Sequence, residues 1–181
     1  MTNVDFDTFP VFTTEKLLLR SLQPTDVNEI FALRSNDEIN KYINRQKATS
    51  IEDAAQFIQM ILERVRNKET FIWAVQLKQE NTLAGTVLLW NINKEKSETE
   101  IGYELLPQYH GKGIMQEAIK TILTFAFDEL KFNSIIAVAH KYNLASLKVL
   151  QRNNFEFRKA LENNMMEYEL SSGNFSVTDK I

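Results

Sequence analysis

The stretch that most suggests chemistry is Gln108-Tyr109-His110-Gly111-Lys112-Gly113, which follows an apolar extended run and precedes a long amphipathic one. The first turn of a helix carries N–H groups with no intrahelical partner and the positive end of the dipole. Glycines ahead of it let the backbone bend around an anion without a Cβ in the way. A phosphate-binding turn is one reading; an ordinary tight turn from strand to helix is the other. The pattern Q-x-x-G-x-G lacks the third glycine of G-x-G-x-x-G and does not match G-x-x-x-x-G-K-[ST]. A second group is acidic. Period-2 alternation puts Glu98, Glu100 and Glu104 on one face of an extended run with Gly102 between them, provided no bulge breaks the phase. Such a face suits a cationic amine, and solvated strands carry it too. Ser146 and His140 lack the G-x-S-x-G elbow and a third orienting acid, so a hydrolase triad is not indicated. His140 reads as a strand end and His110 as a loop residue. The chain has no cysteine, which excludes a thiolate nucleophile, a disulfide framework and a Cys-ligated zinc site.

These residues need elements to position them. After a loose start, the run Leu17, Leu18 and Leu19 within residues 15–21 reads as a strand. Pro24-Thr25-Asp26 then opens a helix that continues through Val27, Ile30, Phe31 and Arg34. Residues 36–49 are polar and irregular, with one short helical turn around 38–42. Ser50, with Asp53 three residues on, forms an N-terminal capping signature. Ala54, Phe57, Ile58, Ile61, Leu62 and Val65 follow on one helical stripe, which reads as core. From Thr70 the period changes. Residues 71–77, 83–92 and 97–106 are extended runs with short polar connections, an antiparallel meander. Beyond the glycine loop, Ile114, Ala118, Ile122, Phe125, Ala126 and Leu130 predict an amphipathic helix, and residues 135–140 an apolar strand. Residues 143–153 predict a further helix. Residues 155–161 and 166–170 predict two strands around an Asn163-Asn164 turn, and residues 171–181 are expected to fray.

The 181 residues suit a single domain with its core at about 15–170. Hydrophobic residues make up 44% and charged residues 25%, which argues against disorder. A net charge of −3 argues against a nucleic-acid backbone as the main partner. The first ten residues are polar and acidic, and no apolar run reaches the length of about 20 that spans a bilayer. A cytoplasmic protein without membrane or direct nucleic-acid contacts is expected.

The neighbours of the glycine loop make it specific. Upstream stands Glu100-Ile101-Gly102-Tyr103-Glu104-Leu105-Leu106-Pro107, and one strand downstream stand Asn143-Leu144-Ala145-Ser146, Val149-Leu150 and Asn154-Phe155. In order and spacing this resembles the GNAT acyltransferase superfamily over about residues 15–170. Within it, the chain is most similar to the ribosomal-protein N-terminal acetyltransferase (RimJ/RimL-type) branch. The resemblance implies a mixed α+β fold: a largely antiparallel central sheet with a splayed parallel strand pair near a bulge, and helices on both faces. It implies that backbone N–H groups of Gly111, Lys112, Gly113, Ile114, Met115 and Gln116 hold the pyrophosphate of acetyl-CoA. Pantetheine would lie along Tyr103, Glu104 and Leu105, and Asn143 would touch the cofactor arm.

Two departures from the family pattern stand out. The tyrosine that commonly protonates the leaving thiolate is here Leu150, so the resemblance passes that role to Ser146. Asn154 replaces a glycine, and asparagine tolerates the left-handed conformation required there. Glu100 is the implied general base, and transfer would be direct, in a ternary complex, with no metal. The acceptor would be a protein or peptide α-amine. A small amine such as a polyamine, amino sugar or amino acid is the alternative, as is a non-catalytic acyl-CoA-binding module. A homodimer is compatible with the resemblance.

Overall fold

The computed structural model describes residues 8–175. Its strands are β1 (Phe12–Thr13), β2 (Leu17–Ser21), β3 (Phe71–Leu77), β4 (Thr82–Asn93), β5 (Glu98–Leu105), β6 (Ser134–His140), β7 (Glu156–Ala160) and β8 (Met165–Ser171). Its α-helices are α1 (Val27–Ser35), α2 (Asp37–Asn40), α3 (Ile51–Arg66), α4 (Ile114–Asp128) and α5 (Leu144–Arg152). The strands form one sheet in the order β1-β2-β3-β4-β5-β6-β8-β7. Every neighbouring pair is antiparallel except β5 with β6.

Local chemistry accounts for most boundaries. Ser50 Oγ accepts from the Asp53 N–H while the Asp53 carboxylate accepts from the Ser50 N–H, so two donors at the start of α3 are satisfied reciprocally. Ala54, Ile58 and Ile61 of the expected stripe are buried. Asn163 and Asn164 both have positive φ, as a tight two-residue hairpin demands, and Asn154 lies at φ 60°. All seven residues of β3 are buried, so both faces of the sheet are covered there. Phe125 of α4 packs against Phe71 and Trp73 on one face. α1 and α3 cover the face that carries Leu88, Trp90 and Glu100.

Three expectations change. The start of the described chain is not loose: the Trp73 indole donates to Pro10 O at 2.8 Å, and the Phe9 ring lies 5.4 Å from that of Trp73. Ser171 belongs to β8, the Ser172 N–H donates to Asn133 O, and Phe175 packs on Phe127, so the sheet and α4 hold residues expected to fray. The rest of that expectation, residues 176–181, lies outside the described residues. The β4–β5 register runs unbroken from Glu100 to Leu105, and the irregularity sits instead in β4 between Trp90 and Asn93. The phase of β5 is therefore regular, and the bulge expected near the splay lies on its neighbour β4, opposite Glu98 and Glu100.

Close approach of β4 to β5 depends on Gly85. A Cβ there would lie 2.2 Å from Glu104 O, a backbone atom that cannot step aside. Gly85→Ala is expected to force these strands apart and lower stability by roughly 2 kcal/mol, within the range for overpacked sites. Urea unfolding monitored by circular dichroism measures this directly.

Candidate active site

β5 and β6 pair over three residues only, Glu98 with Ser134, Thr99 with Ile135 and Glu100 with Ile136. Past that point β5 stays with β4 as far as Leu105, and β6 stays with β8 as far as His140. The two strands diverge into a V whose apex is at Glu100. The Leu106 N–H donates to Ala84 O at 2.9 Å. By antiparallel alternation the peptide groups of Gly102 and Glu104 then face β4, and those of Ile101, Tyr103 and Leu105 face the cleft. One acceptor in this set is occupied, because the His110 ring Nε2 lies 3.0 Å from Leu105 O.

At the open end of the V stands the glycine loop. Gly111 and Gly113 lie at φ 75° and 77°, in the left-handed region, and a Cβ on either would meet nothing within 4 Å. Gly113 is the N-cap of α4 and supplies no side-chain cap. The first N–H bonded within the helix is that of Glu117, to Gly113 O. The donors ahead of it have no partner within the helix. Ile114 and Met115 send their side chains into the core, and the Gln116 amide is engaged with Asn153, so these three residues offer backbone only. The Lys112 ammonium lies 5.4 Å from the Tyr109 ring centre.

The three strand carboxylates differ in what neutralises them. Glu98 faces Arg158 at 3.7 Å. Glu104, expected beside pantetheine, is buried in an ion pair with Arg45 at 2.6 Å and lies 3.4 Å from Thr86 Oγ1, and its peptide groups face β4. Glu100 has no cationic partner among the described residues; it accepts from the Asn91 side-chain amide at 2.9 Å. Burial pushes its carboxyl above the ordinary range, the Asn91 bond offsets part of that rise, and the Glu167 charge adds to it.

Across the cleft, Asn143 caps α5, with its Oδ1 accepting from the Ser146 N–H at 3.2 Å. The amide pair between Gln116 and Asn153 ties α5 to α4. Ser146 Oγ lies 2.8 Å from the Tyr103 hydroxyl, so a side chain of one arm meets the helix that follows the other. Leu150 is buried as core. His140 ends β6 and stacks on Tyr42 at 5.2 Å. Glu100 shares the α1 and α3 face with Trp90, its cross-strand partner, whereas Tyr103 and Ser146 lie on the α4 and α5 face. The base candidate and the proton-donor candidate approach the cleft from opposite sides. Sequence reasoning missed Arg45, Asn91 and the His110 contact. Arg45 lies in an irregular segment with no periodicity to flag it.

Residues 16–156 match the family model described as "Acetyltransferase (GNAT) domain". The chain belongs to the GNAT acetyltransferase family. It is 30% identical over 159 residues to the N-acetyltransferase YoaA of Bacillus subtilis, covering 88% of this chain and 90% of that one. The fold is similar to that of a ribosomal-protein-S5-alanine acetyltransferase from Vibrio fischeri (TM-score 0.78, 22% identity, 92% of this chain and 99% of that one). It is also similar to that of a spermidine N-acetyltransferase from Vibrio cholerae in complex with CoA and spermine (TM-score 0.79, 19% identity, 90% and 99%).

The protein is thus an acetyl-CoA-dependent N-acetyltransferase of the GNAT type, and its expected mixed sheet with one splayed parallel pair is present. The residues fit the coenzyme: an uncapped N-terminus on a 15-residue helix suits a pyrophosphate, and free peptide groups along one arm of the V suit an amide-bearing chain. Among the described residues no cluster of His, Asp or Glu could hold a metal ion, and no helix is long and apolar enough to cross a membrane.

Gly111→Val and Gly113→Val place a β-branched side chain where φ is positive, which distorts the loop at a cost of about 1 to 3 kcal/mol. Each variant is expected to bind acetyl-CoA at least tenfold more weakly by calorimetry, with the far-ultraviolet circular dichroism of the parent.

Proposed function

We propose that the chain acetylates the α-amine of a protein or peptide N-terminus, with Glu100 as the base and Ser146 as proton donor to the leaving sulfur. The observation that carries this reading is the isolation of Glu100. It is the carboxylate at the apex of the V without a cation beside it, and its affinity for a proton is raised by burial. An α-amino group titrates near 8 and a lysine side chain near 10.4. One carboxylate with a raised pKa suits the first better than the second. The fold's likeness to a ribosomal-protein acetyltransferase agrees with that choice. The likeness to a spermidine acetyltransferase makes a polyamine the competing acceptor.

The amine would approach on the α1 and α3 face, where Asn91 and Trp90 border a hollow of about 330 Å³. Glu100 takes a proton from the ammonium, directly or through a water, which frees the nitrogen lone pair to attack the thioester carbonyl. The second surplus N–H proton leaves to solvent as the tetrahedral intermediate collapses to the amide. N–H groups of β5 that face the cleft, at Tyr103 or Leu105, lie along the path where negative charge develops on the carbonyl oxygen. The C–S bond then breaks toward the other face, where Ser146 gives its proton to the sulfur. Entry of the two substrates from opposite faces allows direct transfer with both bound, and the chain has no cysteine to carry the acetyl group as a thioester.

An acceptor screen that compares peptide N-termini with polyamines, read by thiol release from acetyl-CoA, tests the acceptor class. Turnover of spermidine but of no peptide would overturn the α-amine reading. Glu100→Gln is expected to reduce kcat/KM about 100-fold, most severely at low pH, where the amine arrives protonated. The Asn91 bond favours the ionised form of Glu100, so removing it raises the carboxyl pKa further. Asn91→Gly, which keeps the φ of 48° without strain, should shift the acid limb of the pH-rate profile upward. A limb left in place by both variants would remove Glu100 from the mechanism.

A further inference from the structure

Ser146 is a weak candidate for directed proton donation unless something fixes its hydroxyl. A serine has one O–H proton and a nearly free rotor, and within a helix that proton is readily lost to a carbonyl one turn back. The Tyr103 hydroxyl meets this hydroxyl at 2.8 Å and also lies 3.3 Å from the Ser146 carbonyl oxygen. Two arrangements follow. If Tyr103 donates to the carbonyl, its oxygen accepts the serine proton, which is then withdrawn from the cleft. If Tyr103 donates to Oγ, the serine proton is left for a third partner. The 2.8 Å contact to Oγ is common to both arrangements, and the bond that only the first one needs, to the carbonyl, is long for an O–H donor at 3.3 Å.

We propose that Tyr103 is the positioning residue for Ser146: its phenol donates to Ser146 Oγ and so turns the single serine proton into the cleft, toward the departing sulfur. The inference rests on the assignment of Ser146 as the proton donor. Three features support it. Tyr103 belongs to β5, the arm of the V whose backbone is pinned by β4, so its ring is carried by a rigid element. Ser146 is fixed from the other side, because its own N–H is held by the Asn143 cap and α5 is locked to α4 through Gln116 and Asn153. Desolvation pushes the Tyr103 phenol up to about 12, partly offset by its bond to Ser146, so it stays a donor throughout the working range of pH. In the step itself the C–S bond breaks with its electron pair on sulfur, and the sulfur takes the Ser146 proton. The Tyr103 hydrogen bond to Oγ shortens as Oγ gains charge, and solvent returns a proton to Oγ after the thiol leaves.

The complex with free coenzyme A tests this without turnover, by reading the pKa of the bound thiol from the pH dependence of thiolate absorbance. An unperturbed thiol titrates near 8.5, and a hydrogen bond to the thiolate lowers that value by about one unit or more. Ser146→Ala is expected to raise the bound-thiol pKa by about one unit. Tyr103→Phe should raise it in the same direction and lower kcat about threefold to tenfold with little change in KM for acetyl-CoA. The double variant should lie no higher than Ser146→Ala alone. Tyr103→3-fluorotyrosine, a stronger donor of nearly the same shape, should move the pKa downward, which covers the case in which Tyr103→Phe folds poorly. A shift in Ser146→Ala with parental values in both Tyr103 variants overturns the positioning role and leaves that of Ser146 intact. Additive shifts in the double variant also overturn it, because Tyr103 would then act independently of Ser146. Identical pKa values in all the proteins overturn both assignments.

Discussion

β5 and β6 share only three residue pairs, although each continues for four or five residues beyond them. Each strand is held past the apex by an antiparallel neighbour of its own, β5 by β4 and β6 by β8. Neither arm can swing to close the gap without breaking a ladder on its outer side. A row of β5 peptide groups is thereby left without a strand partner. Unpaired backbone groups are tolerated only where water or a ligand can satisfy them. A substrate with amides along its length would complete the sheet there. The close β4–β5 contact at Gly85, where a Cβ would lie 2.2 Å from Glu104 O, is part of the packing that holds this arm.

The same divergence sorts the polar side chains. Alternation along β5 sends Glu100 to the face of α1 and α3 and Tyr103 to the face of α4 and α5. Around the cleft, Arg45 neutralises Glu104, and Arg158 faces Glu98 together with Glu167 and Glu169. Glu100 is left to a neutral amide. Burial of a carboxylate without a cation favours the protonated form, whereas an ion pair favours the charged one. Glu100, buried and without a cation, is the strand glutamate whose carboxyl is pushed upward. The Arg45 contact also fastens the segment between α2 and α3 to β5, which places Tyr42 beside His140.

Much of the architecture was legible in residue types and local spacing. The α3 stripe and its Ser50 and Asp53 cap, the β3–β4–β5 meander, the glycine loop ahead of α4 and the Asn163-Asn164 turn stand within a residue or two of expectation. These features depend on interactions within a few positions along the chain: a capping hydroxyl, a period, a φ that only certain residues adopt. The acidic face was legible too, because β5 keeps a regular phase. What was lost was every case in which a partner came from far away. Arg45 stands in a segment without periodicity, and nothing near it in sequence says that its charge is spent on Glu104.

The sequence by itself determined most of the elements that form, that a helix N-terminus preceded by two glycines follows a strand, and that no thiol is available to carry the acetyl group. Those are consequences of local backbone preference and of composition. Only the tertiary structure decided which carboxylate remains without a cation, which peptide groups of β5 face the cleft and which hydroxyl meets Ser146. Tyr103 and Ser146 are 43 residues apart, and their contact exists because two diverging strands and a locked helix pair bring them together. Electrostatic and hydrogen-bond partnership falls off within a few ångströms, and distance in space is set by the packing of the whole sheet.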